Sequence, residues 1–129
     1  MLKKTFACIA LLVLAGCAST DKEDAAIAMA KSRATAINSK APYDKIDEYK
    51  IMKAMAREKT VEITILYGGG GKTPPSQAVK NAAVNYCNNE ELSPLVSEGL
   101  NYKIVVMDMR GRTIAEQPVY AEYCAELAN

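Results

Sequence analysis

Histidine and tryptophan are absent, and the one phenylalanine, Phe6, stands near the start of the chain. Without histidine there is no Ser-His or Cys-His nucleophile pair, no imidazole acid–base group and no histidine-ligated zinc. Catalysis would have to run on carboxylates, lysine or tyrosine. The carboxylates do not gather: Glu90-Glu91 reads as a helix start, and Asp47-Glu48 and Asp21/Glu23/Asp24 read as solvated surface. No enzyme, metal site or cofactor is expected. Nor is there an excess of one charge. Lys+Arg number 16 against 15 Asp+Glu, a net of +1 that leaves no basic footprint for nucleic acid. With 129 residues, the chain has room for one small domain.

What is present begins at the N-terminus. Lys3 and Lys4 precede the apolar run Phe6–Ala15, which is far shorter than the roughly 20 residues of a membrane-spanning helix. Small residues follow it. This is the layout of a secretory signal peptide, here residues 1–16. The stretch Leu14-Ala15-Gly16-Cys17 also resembles the lipobox of bacterial lipoproteins. That resemblance implies cleavage before Cys17, a covalent lipid on Cys17, a short tether over 17–20 and a single domain over 17–129. Two or more acyl chains make anchoring stable. In lipoprotein sorting, Asp directly after the cysteine usually means retention in the inner membrane. Ala18 stands there instead, which implies the outer membrane.

Of the 4 cysteines, Cys8 leaves with the signal and Cys17 takes the lipid. Cys87 and Cys124 remain, an even pair in an oxidising compartment. A bond between them would close a loop of about 37 residues, contributing roughly 4 kcal/mol in the chain-entropy model. The alternative is two unpaired, buried thiols.

Along the exported part, Thr20-Asp21-Lys22-Glu23 has the pattern of a capping box. Ile27, Ala30, Ala34 and Ile37 follow at helical spacing, so a helix is expected over 21–38. Its stripe is small and suits close packing. Residues 46–56 fit both periods. The polar stretch Arg57–Thr60 suits a hairpin turn and tips 48–56 towards strand. Val61, Ile63, Ile65 and Tyr67 alternate as in a half-buried strand.

Gly68–Gly71 reads as a loop. Thr73-Pro74-Pro75 reads as a helix start with Thr as cap. Val79, Ala82, Ala83, Tyr86 and Cys87 continue it at amphipathic spacing. A shorter helix is expected over 90–98. Strands are expected over 100–107 and 112–120, joined at Asp108–Gly111, with Pro118 marking an edge. The order α-β-β-α-α-β-β with one disulfide describes an α+β fold. An antiparallel sheet of four to five strands would carry its helices on one face.

Gly70-Gly71-Lys72-Thr73 invites a phosphate-loop reading. The pattern needs Gly where Leu66 stands, and Pro74 and Pro75 lack the N–H groups that cradle phosphate. The second sheet face is harder to dismiss. Leu66, Val105 and Met107, with Met52 beside them, point away from the helical stripe. Left uncovered, they form an apolar patch of the kind that marks a partner site. Another helix, or the tail Ala121–Asn129 held by Cys124, could equally cover it.

Taken together, the lipobox, the small-residue helix, the hairpin, the Pro-started helix with its Cys and the closing Cys124 are similar to the AspS-type pilotins of bacterial type II secretion systems. The run Glu98-Gly99-Leu100-Asn101-Tyr102 and the spacing from Cys87 to Cys124 carry the resemblance most specifically. It implies a non-enzymatic escort. Its partners would be the C-terminal S-domain of the secretin, the lipoprotein sorting machinery and, through the acyl chains, the outer membrane, with the domain facing the periplasm. It also supports a strand at 48–56 and the Cys87–Cys124 bond. Two other readings stand beside it: an outer-membrane lipoprotein inhibitor of lysozyme, and a structural lipoprotein. The helices expected over 21–38 and 75–88 count against the inhibitor.

Overall fold

The computed structural model describes residues 2–128, and the side chains of residues 21–128. Leu14, Ala15, Gly16 and Cys17 therefore lie outside the described side chains, as do the expected cleavage and lipid attachment. The element order is α1 (Leu2–Lys40), β1 (Tyr49–Arg57), β2 (Thr60–Tyr67), α2 (Pro75–Asn88), α3 (Ser93–Ser97), β3 (Asn101–Met107), β4 (Thr113–Val119) and α4 (Ala121–Ala128).

Alternating apolar residues build one four-stranded sheet in the order β1-β2-β3-β4. The outer pairs are antiparallel. The central pair, β2 with β3, is parallel, which makes the sheet mixed. That pairing follows from the long connection through α2 and α3, which brings the chain back to the end of the sheet where β2 began. The α+β architecture expected from the pattern stands. Pro118 lies on the edge strand β4, where its missing N–H costs no ladder bond.

All the helices lie on one side. Val61 pairs with Tyr102 and Ile63 with Ile104. These side chains, with Val119, form the floor of a core roofed by Ala30, Ala34 and Ile37 of α1 and Val79 and Ala83 of α2. α1 packs chiefly on β1 and β2, α2 on β4 and β3. The small stripe of α1 lets its backbone come close to the sheet. Asn38 secures the contact, since its amide donates to Ala54 O and accepts from Ala54 N–H, both at 2.8 Å. Cys87 of α2 is bonded to Cys124 of α4, with 5.3 Å between the Cα atoms.

Four expectations are corrected. The helix expected to start at Thr20-Asp21 is already helical upstream, because Cys17–Thr20 holds no proline or glycine to stop it. Thr73 does not cap α2: Pro74 occupies that position without a side-chain bond, and Thr73 is engaged elsewhere. The helix expected over 90–98 shrinks to Ser93–Ser97. Asn89 Oδ1 accepts the Glu91 and Leu92 N–H groups, making a side-chain turn before it. The tail does not cover the second sheet face; as α4 it is tied to α2 on the helical side.

The β3–β4 turn is built as the sequence implies. Asp108 Oδ1 accepts the Arg110 and Arg112 N–H groups, each at 2.9 Å. Gly111 takes the φ of 81° that the turn requires.

Candidate functional site

α1 ends at Lys40, before it has covered the far end of the sheet. The chain then folds back over β1, with the Tyr43 N–H donating to Ile51 O at 3.1 Å. Between this segment and α2 an open groove of about 490 Å³ remains. Its floor is apolar, from Ile51, Ile65, Ile104 and Val106. Ala78 and Ala82 leave the α2 wall shallow, and Ile46 stands on the opposite rim, 77% exposed. A concave apolar surface with an exposed isoleucine at its edge suits an apolar side of a partner.

The rim is polar and cross-tied. Asp47 Oδ1 accepts the Lys72 N–H at 2.8 Å and Oδ2 accepts the Thr73 N–H at 2.9 Å. These two backbone bonds hold the Asp47 carboxyl below the usual aspartate value. Tyr49 stacks on Tyr67 at 4.4 Å between ring centroids. The Tyr49 hydroxyl donates to Thr73 O at 2.6 Å, and burial pushes its pKa up. The Tyr67 hydroxyl accepts the Gly71 N–H at 2.9 Å. A Cβ on Gly71 would lie 2.6 Å from Asp47 O, so only glycine fits there. The amides that a phosphate-loop reading would offer to an anion are thus partly occupied by Asp47.

In the core, outside the groove lining, Tyr86 on α2 stacks on Tyr102 of β3, with ring centroids 4.8 Å apart. Arg33 of α1 lies beside both. Burial, followed by the neighbouring Tyr102, pushes the Tyr86 hydroxyl up to about 12.

The sequence-derived partner patch lies on the opposite side. Leu66 and Met107 are register partners, and Val105 pairs with Thr64 on the same face. Among the described residues, no helix packs there. Val105 is only 3% exposed, while Met52, at the β1 irregularity, is 37% exposed. Ion pairs Arg57–Glu62 and Lys103–Glu116 flank the patch. Leu66, Val105 and Met107 share one face by their register, and no strand period points to the groove. The groove draws on residues from the 43–51 segment, β2, β3 and α2, and no local period announces such a combination.

The model of the family described as type II secretion system pilotin, S protein, matches residues 22–124. The chain belongs to this pilotin family. A comparison with curated proteins finds no match. Among solved structures, the pilotin AspS from Vibrio cholerae is similar at 26% identity with a TM-score of 0.74, over 83% of this chain and 99% of that one. The type 2 secretion pilotin EpsS from Vibrio vulnificus is similar at 26% identity and TM-score 0.73, over 81% of this chain and 96% of that one. A protein from Pseudomonas aeruginosa shares the fold at 11% identity and TM-score 0.69. The pilotin match spans the whole core, from Ala26 to Val119, and the disulfide.

Proposed function

We propose that this pilotin is a lipid-anchored, non-catalytic escort of the type II secretion secretin. The observation that carries the reading is the family match over 22–124, which includes both walls and the floor of the groove. The C-terminal S-domain of the secretin docks an amphipathic segment in the groove, its apolar side on Ile65, Ile104 and Ala82. Acyl chains on Cys17 engage the sorting machinery, and the pair travels to the outer membrane and faces the periplasm.

The layout of the fold supports this use. Ala26, near the anchored end of α1, lies against Gly99 at the start of β3. The groove rim at Thr73 follows the other end of β2. The anchor and the opening therefore sit at opposite ends of the sheet, and a docked segment need not compete with the membrane.

A second reading rests on the uncovered sheet face. There the secretin would contact Leu66, Val105 and Met107, with exposed Met52 at the margin. The groove is favoured because it is concave, whereas charged pairs flank the open face.

Fractionation of cells tests the proposal. Cys17→Ala is expected to leave a soluble periplasmic chain and misplaced secretin. Ala82→Trp, which fills the groove, is expected to leave the chain at the outer membrane but the secretin misplaced. Normal secretin delivery with both variants would overturn it.

A further inference from the structure

The lip of the groove is a two-residue turn, Asp47-Glu48, closed by Ile46 and Tyr49, each of which donates its N–H to the other's C=O at 2.8 Å. Both central residues have positive φ, 47° at Asp47 and 69° at Glu48. Asn-Gly and Asp-Gly favour such a turn, so Glu48 stands where glycine is preferred. Bonds from the 68–73 loop hold it there. The Gly68 N–H donates to Glu48 O at 3.0 Å, Lys72 and Thr73 donate to the Asp47 carboxylate, and Gly71 passes close to Asp47 O. Among the described residues, those of 44–48 add no side chain to the core. Ile46 is 77% exposed. Ordering a segment costs conformational entropy, and here no burial of the segment's own apolar surface offsets it.

We infer that Ile46 is the specificity-determining contact of the groove, gripping a bulky apolar side chain of the docked segment against Ala78 and Ala82, and that Asp47 is the positioning residue that fixes Ile46 before the partner arrives. Ile46 lines the groove together with both alanines. The alanines stand at i and i+4 on α2 and leave a notch in that wall. A large apolar side chain that fills the notch also covers Ile46, and so removes from water the apolar surface that the turn displays. A small or polar side chain at that place does neither, and this difference selects the segment. A lip ordered in advance leaves less to order on binding, which gives the bonds at Asp47 a use that the core does not require. The inference deepens the docking role proposed for the groove and rests on it for the identity of the partner.

Two experiments separate the lip from the partner. The first uses the full chain alone, in detergent micelles, and reads backbone amide order by NMR relaxation. Asp47→Gly suits the positive φ and removes both carboxylate bonds. It is expected to raise the mobility of the Ile46 amide and to leave the floor amides of Ile65 and Ile104 as they were. An Ile46 amide as ordered in Asp47→Gly as in the wild type would overturn the positioning role.

The second adds the S-domain of the same organism's secretin and follows the isoleucine δ1-methyl resonances. Ile46 is expected to move together with Ile65 and Ile104. Ile46→Ser is expected to weaken binding by about tenfold while its urea midpoint matches the wild type, since the side chain is exposed. Asp47→Gly is expected to weaken it by about threefold to tenfold, and Asp47→Asn, which keeps one acceptor, by less. Because Asp47 acts through Ile46, the double variant Ile46→Ser/Asp47→Gly is expected to bind no worse than Ile46→Ser. Movement of Ile65 and Ile104 without Ile46, or losses that multiply in the double variant, would overturn the inference and leave the secretin in the groove. Absence of binding by the folded wild type would remove the secretin reading and overturn the contact role with it, whereas an Ile46 amide released by Asp47→Gly in the first experiment would still support the positioning role.

Discussion

Asn38 closes both backbone groups of Ala54 with one side-chain amide, through two bonds of 2.8 Å. Ala54 lies on β1, an edge strand whose outward N–H and C=O would otherwise invite another strand. The last full turn of α1 is thereby fastened to the sheet beside the β1 irregularity at Ile51/Lys53.

Asn38→Ala should therefore lower stability by about 1–3 kcal/mol, the cost of leaving part-buried polar groups unpaired. Asn38→Asp keeps the acceptor and loses the donor, so it should fall short of the wild type as well. Urea unfolding midpoints check both. An unchanged midpoint for Asn38→Ala would show that water replaces the amide without loss.

The Cys87–Cys124 bond joins α4 to α2 and closes a separation of 37 residues. Cys87→Ser should reduce stability by roughly 4 kcal/mol in the chain-entropy model. The thermal midpoint should fall markedly, and the reduced wild type should match the variant. An equal midpoint with and without reductant would contradict this contribution.

Much of this frame was legible in the residues. Alternation exposed β2 and β3, the Val79–Cys87 spacing exposed α2, and the count of cysteines exposed the bond. The parallel β2–β3 pair was not legible, because strand direction is decided by how the connection through α2 and α3 crosses the sheet. The Asn38–Ala54 pairing was not legible either, because its two members stand 16 residues apart on different elements. Thr73 looked like a cap, and Asp47 in the sheet edge loop took its N–H instead. The open-face residues Leu66, Val105 and Met107 were legible as a set, because the period of a strand alone determines them.

The Asp47 carboxylate fastens the Gly-rich loop, and its pH dependence follows from the direction of its shift. Its folded pKa lies below the ordinary aspartate value, with the Lys72 and Thr73 backbone bonds as the main causes. Its contribution is complete above the unfolded value and is lost as pH falls through the folded value. The amide resonances of Lys72 and Thr73 should hold steady on acidification until below the ordinary aspartate pKa, and then move together. Asp47→Asn should abolish that titration. A transition at or above the ordinary value would contradict the clasp.

Met107→Asp separates the two candidate surfaces. It charges the open sheet face and leaves the groove floor of Ile65, Ile104 and Val106 untouched. Affinity for the secretin S-domain should be unchanged in pull-downs. A large loss from a folded variant would move the docking surface to that face.

The central claim is that the groove between α2 and the Tyr43–Asp47 segment holds the secretin, and calorimetric titration of the chain in detergent with the secretin S-domain tests it most directly. The account predicts one-to-one binding of micromolar affinity or tighter, abolished by Ala82→Trp with the fold retained. Absence of heat from the folded wild type, or undiminished binding by Ala82→Trp, would contradict it.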